Sequence, residues 1–149
     1  MSEYFALVWP ESLAIGALTI EAGLPKHQPF WESVVVLMSL ELWALGRGSK
    51  PLAVMSDCLA ALAATTTGRG KGSVAAVVRE LAWRTARQGW TIYVGHIPSE
   101  FNQIADSLSR LAAPTPASLP PELVNARRRD PPDLLELWRA QPDAPHADI

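Results

Sequence analysis

Cysteine is almost absent. Cys58 is the only one in 149 residues, which excludes an internal disulfide framework and any zinc-type Cys/His spacing. It directly follows Asp57, so burial beside a strand end is its expected role rather than redox chemistry. No apolar run is long enough to span a bilayer, since the longest, within residues 30–45, is broken by Glu32 and Glu41. Met1 is followed by Ser-Glu rather than a basic leader, so no secretory signal is evident and the expected setting is cytoplasmic or nuclear with no membrane partner. Strong charge is missing too: 13 Lys and Arg against 15 Asp and Glu give −2, which argues against strong nonspecific affinity for nucleic acid. There is no internal repeat. Most consequentially, no aspartate occurs before Asp57. What is present, 48% hydrophobic residues in 149, is enough for one α/β core.

Periodicity locates the elements. Leu52-Ala-Val-Met55 follows the breaker Gly46-Arg-Gly-Ser-Lys-Pro51, and Trp90-Thr-Ile-Tyr-Val94 follows Gly89; both read as strands. Further strands are expected near 4–9 and 13–20, with helices near 30–45, 58–64, 73–88 and 102–112. The helix from Phe30 to Leu45 is apolar almost all round and reads as a core element. Ser73 is the expected N-cap of the helix that follows it. On that helix Arg79, Arg84 and Arg87 lie off the apolar stripe, where a solvated face explains them, and Glu80 to Arg84 is a favourable i,i+4 pair. Trp9, Trp31, Trp43, Trp83 and Trp90 fall within or beside apolar elements and are read as packing. His27 and His146 sit in polar, proline-flanked stretches and are read as surface residues.

The carboxylates carry the chemistry. Asp57 lies just beyond a strand, where catalytic groups of α/β folds tend to gather. His96 ends the next strand, and Pro98 turns the chain into a helix bearing Asp106, with Ile104, Ala105, Leu108, Leu111 and Ala112 along one side. Carboxylates meeting at strand and helix ends are an arrangement that a divalent metal uses. Glu32 and Glu41 are nine residues apart, which at ~100° per residue puts them on opposite sides of their helix, so they cannot serve one site. Glu41, near the C-terminal end, is disfavoured by the macrodipole and is expected to face solvent or Arg47. Glu32 stands at the favourable end, where helix stability alone would also explain it.

Taken in order, the helix around Glu32, the strand ending in Ser56-Asp57 and the run His96-Ile-Pro-Ser-Glu-Phe-Asn-Gln-Ile-Ala-Asp-Ser-Leu-Ser-Arg110 resemble the ribonuclease H domain of retroelement reverse transcriptases. The branch most similar is that of retrotransposons carrying a tyrosine recombinase, and the resemblance covers roughly residues 5–113. It implies an α/β fold with a ribonuclease H-like mixed sheet flanked by helices on both faces, three strands antiparallel and others parallel. It implies Glu32, Asp57 and Asp106 as metal-ligating carboxylates, His96 as the histidine on a loop that helps product leave, and Asn102 as the opener of the last helix. The cofactor would be Mg²⁺ or Mn²⁺ and the substrate an RNA–DNA hybrid, with a polymerase or recombinase domain of the parent polyprotein as a further partner.

The family's first strand ordinarily carries an Asp-Ala-Ser signature followed by Gly-x-Gly-Ala, of which Ile15-Gly-Ala-Leu18 keeps only the end. Seven positions before Gly16 stands Trp9, and the nearest acid, Glu11, is two positions off register behind Pro10. Two metals held ~4 Å apart need that bridging carboxylate. Three acids suit at most one weakly bound ion. The expectation is therefore a folded domain with little or no hydrolytic activity, standing beside a degenerate module that binds nucleic acid or persists as a structural remnant. A third reading makes the chain a fragment whose true first strand is encoded upstream of Met1. If the family's third strand survives, Gly23–Pro29 is its only place, against the prolines.

Two segments remain. Gly68-Arg-Gly-Lys-Gly72 is a basic loop without the spacing of a P-loop, read as a flexible connection or, alternatively, as a contact to the substrate backbone. Residues 114–149 hold eight of the 13 prolines, with Arg127-Arg-Arg129 in the middle, and read as a linker or tail appended to a domain of residues 1–113. Within that tail, residues 133–139 suit a short amphipathic helix that docks on the domain or on a partner.

Overall fold

The computed structural model describes residues 2–15, 18–45, 51–58, 72–111 and 118–139. The helix expected near 58–64, the basic loop up to Lys71, Arg47 and His146 lie outside them. The architecture is mixed α/β, with helices and small parallel and antiparallel sheets. No helix among the described residues is long and apolar enough to cross a membrane.

Strands β2 (Ser12–Ile15) and β3 (Leu18–Glu21) pair antiparallel, with Leu13 opposite Ile20 and both buried. A single strand was expected over 13–20. Ile15 and Leu18 are instead register partners, so the chain reverses between them, and the apolar alternation belongs to two short strands sharing an inward face. After Gly23, Pro25–His27 forms a tight 3-10 turn, and helix α1 (Gln28–Trp43) begins at once. No third strand forms at 23–29: proline fixes φ and supplies no N–H, which suits helical entry and not a ladder.

Helix α1 buries Phe30, Trp31, Val34, Val36, Leu37, Met38 and Leu40, as its nearly continuous apolar surface requires. Its two serines stay satisfied by returning their hydroxyls to the preceding turn, Ser33 Oγ to Pro29 O at 2.7 Å and Ser39 Oγ to Val35 O at 2.8 Å. Strands β4 (Pro51–Ser56) and β5 (Thr91–His96) pair parallel in the register Pro51–Thr91 to Ser56–His96. One face, Leu52, Val54 and Ile92, packs on the core, and the other leaves Met55 and Tyr93 exposed.

Between them helix α2 (Ser73–Gln88) packs on α1 through Val77 and Leu81. The N-cap position is held by Gly72 rather than Ser73, because the backbone enters with φ +57°, which favours glycine. At the other end Gly89 is left-handed and Trp90 N donates to Thr85 O at 3.1 Å, closing the helix in the Schellman manner. Arg84 is buried, not solvated. Its guanidinium reaches Glu41 Oε2 at 2.9 Å, Glu80 Oε2 at 2.6 Å and the Leu137 carbonyl at 2.9 Å. Glu41 accordingly faces α2 rather than solvent or Arg47.

The first and last described segments meet. Strand β1 is only Glu3–Tyr4, and it pairs parallel with β6 (Arg127–Arg128), although a strand was expected over 4–9. Phe5, Leu7 and Trp9 keep the alternation and turn inward, but no ladder extends beside them among the described residues. Arg129 grips the Glu3 carboxylate with one nitrogen, at 3.1 and 2.9 Å. Helix α4 (Glu136–Arg139) then docks on the domain: Leu137 is 2% exposed and the Trp138 ring stacks on Phe30 at 6.2 Å. Residues 118–139 are thus fastened to the core although their composition cannot form one alone.

Candidate functional site at the end of the parallel strands

Asp57 and His96 leave the same end of the same ladder. Ser56 and His96 are the last register partners, and Ile97 N donates to Ser56 O at 2.9 Å, so the pairing runs one residue further before the chains diverge. Ser56 Oγ accepts from Cys58 N at 3.1 Å, a local turn that sets the half-buried Asp57 just past the strand. Among the described residues neither the Asp57 carboxylate nor the exposed His96 ring has a hydrogen-bond or ion-pair partner. The carboxyl end of parallel strands is where α/β folds place ligand-handling groups.

From His96 the chain passes Pro98, makes a 3-10 turn over Ser99–Phe101 and enters helix α3 (Gln103–Ser109). Asn102 opens that helix through its backbone, its carbonyl accepting Asp106 N at 3.1 Å, while its side chain makes no cap. The helix is shorter than the expected 102–112 and buries none of its residues. Asp106 lies in its first turn with Oδ2 2.6 Å from Arg110 Nη2, both side chains 56% exposed. Glu32, in the second turn of α1, accepts from Gln28 Nε2 at 2.9 Å.

Two of the three expected ligands are therefore engaged by a neighbour one helical turn away, and Asp57 alone is uncommitted. Among the described residues no group of three His, Cys, Asp or Glu side chains is placed to hold a metal ion. In this arrangement Glu32, Asp57 and Asp106 do not form one coordination shell. What the ladder end does set side by side is the backbone exits of Asp57 and His96.

Two features were not foreseen. The Arg84 cluster contains the expected Glu80–Arg84 pair, but its extension to Glu41, 43 residues away, has no local period to announce it. A cavity of about 440 Å³ opens between β3, the Pro25–His27 turn and the start of α2, with Thr19, Lys26, His27 and Ser73 among its lining and none of the expected site residues. His27 is half-buried there and bonded to the backbone, not a free surface ring.

Comparison with family models, with curated proteins and with solved structures finds no match to this chain.

Proposed function

We propose that the chain is a ribonuclease H-type domain of retroelement origin whose hydrolysis of the RNA strand of an RNA–DNA hybrid is impaired. The single observation that carries the reading is the shared exit of Asp57 and His96 from the parallel pair β4–β5, followed in sequence by the turn and helix that bear Asp106. In this reading Asp57, Asp106 and Glu32 are the acids, His96 acts near departing product, and Mg²⁺ or Mn²⁺ is the ion, bound weakly and singly. The partners are the hybrid and a polymerase or recombinase domain of the parent polyprotein.

A second reading, a catalytically inactive module of the same origin that binds nucleic acid or serves as a remnant, is favoured by the Asp106–Arg110 pair and by the lack of a three-donor group among the described residues. One experiment separates them. Purified protein is incubated with an end-labelled RNA–DNA hybrid in Mg²⁺ and in Mn²⁺, with Asp57→Asn as control. Slow cleavage lost in the variant supports the impaired enzyme; retention of the hybrid on a gel without cleavage supports the module. Cleavage unchanged in Asp57→Asn removes the assignment of the site.

A further inference from the structure

The outer edge of β3 is read by two aromatic rings. Ala22 N donates to Glu11 O at 2.9 Å, so the adjoining register pair Ser12–Glu21 falls at a non-hydrogen-bonded position, and the Glu21 N–H and C=O point away from β2. His27 Nδ1 accepts from Glu21 N–H at 2.9 Å, and Trp31 Nε1 donates to the Glu21 carbonyl at 3.3 Å. Rings from the turn and from α1 thus engage both backbone groups of one edge residue, and the hairpin is fixed to the helix through them.

The two contacts differ in kind. An indole N–H is a permanent donor, whereas an imidazole nitrogen accepts only while it carries no proton. The same Nδ1 lies 3.2 Å from the Glu21 carbonyl oxygen.

We propose that His27 is a proton-operated latch between the β2–β3 hairpin and α1. With Nδ1 bare, the ring holds the Glu21 amide. When a proton from solvent binds Nδ1, the amide is released and the new N–H donates to the carbonyl of the same residue, which then serves both rings. The charged side chains on the turn, on β3, just before β2 and on α1 are Lys26, Glu21, Glu11, and Glu32 and Glu41, the last engaged by Arg84. From α2, Gly72, Ser73 and Val74 line the same cavity and bring no charge.

Nitrogen-15 NMR of the full chain tests this between about pH 5 and 8, the range in which histidine changes charge. The neutral ring is expected to carry its proton on Nε2. The Glu21 amide shift is expected to titrate with the ring's own midpoint, and its exchange protection to fall roughly three- to tenfold as the ring charges, the scale of one hydrogen bond. His27→Asn, whose side-chain oxygen stands near the place of Nδ1, keeps the protection and loses its pH dependence; His27→Phe loses the protection throughout. A neutral ring protonated at Nδ1, or a Glu21 amide indifferent to the ring's titration, overturns the proposal. The wild-type titration decides it even if a variant folds poorly.

Discussion

Arg84 Nε donates to Glu41 Oε2 across 2.9 Å, joining α2 to α1 where the arginine side chain is only 6% exposed. The same guanidinium holds Glu80 and the Leu137 carbonyl, so three segments converge on one cation. Arg84→Ala should cost about 3 kcal/mol, the lower end for breaking a buried pair, because Glu41 and Glu80 keep 27% and 16% exposure and are partly screened by water. Arg84→Met, apolar and of similar length, should cost less. Urea midpoints rank the three proteins, and equal midpoints would remove the clamp.

Ending the chain at Ala113 should abolish cooperative melting or lower Tm sharply, because Leu134, Leu137 and Trp138 pack against the core. Leu137→Ala alone should cost about 2–5 kcal/mol. Thermal unfolding followed by circular dichroism is the check, and a truncated protein that melts like the intact one would return residues 118–139 to the status of a tail.

Acid should loosen the seam between β1 and β6. The hydrogen bond from Arg129 chiefly, with the positive charges of Arg129 and Arg127, holds the Glu3 carboxyl below its ordinary value, against a smaller opposing effect of burial. A depressed carboxylate contributes stability that is present above its unfolded value and lost as pH falls through the folded one. Chemical denaturation of wild type and Glu3→Gln should therefore differ at neutral pH and converge in acid below the ordinary glutamate range. Curves that stay parallel would show that Glu3 does not contribute in this way.

Restoring a first-strand acid depends on which position receives it. Trp9 lies tilted against Trp31, ring centroids 4.7 Å apart, so Trp9→Asp should destabilise by about 3–5 kcal/mol. Val8 is 71% exposed, and Val8→Asp should stay within about 0.5 kcal/mol. Paired denaturation and hybrid-cleavage assays read both effects, and a Trp9→Asp protein as stable as wild type would contradict the packing described.

Arg110→Ala frees Asp106 from an exposed i,i+4 pair worth about 0.3–0.5 kcal/mol, so stability should hardly change. If Asp106 serves a catalytic site, any residual cleavage in Mn²⁺ should rise in this variant and vanish in Asp106→Asn. An initial-rate series with the labelled hybrid measures it, and identical rates in all three proteins would leave Asp106 without a catalytic part.

Local pattern carried much of the fold. β-branched and aromatic runs after glycine or proline breakers marked β4 and β5, and apolar content marked α1, because burial on one or all faces writes itself into neighbouring residues. Long-range pairing leaves no such trace. Arg84 sits off an apolar stripe, and beside the expected Glu80 it takes partners from two other segments; β1 keeps an inward alternation, yet its ladder partner is β6, more than 120 residues further along. The proline-rich segment was legible in part: the apolar spacing within 133–139 announced a docking helix, while the pairing of Arg127 and Arg128 with β1 left no mark, because composition tells whether a stretch can build a core, not whether it can lie on one. At the candidate site, spacing located the exit of Asp57 and His96 from one ladder, while the local partners of Asp106 and Glu32 depend on rotamers that spacing does not specify.

The contact between Glu3 and Arg129 spans 126 residues. During synthesis that seam cannot close until nearly the whole described chain has left the ribosome, so Phe5, Leu7 and Trp9, which enter the core beside it, must wait or find temporary cover. Contacts this distant in sequence slow folding. The first strand should therefore dock only after Arg129 has emerged, late in folding although it is made first.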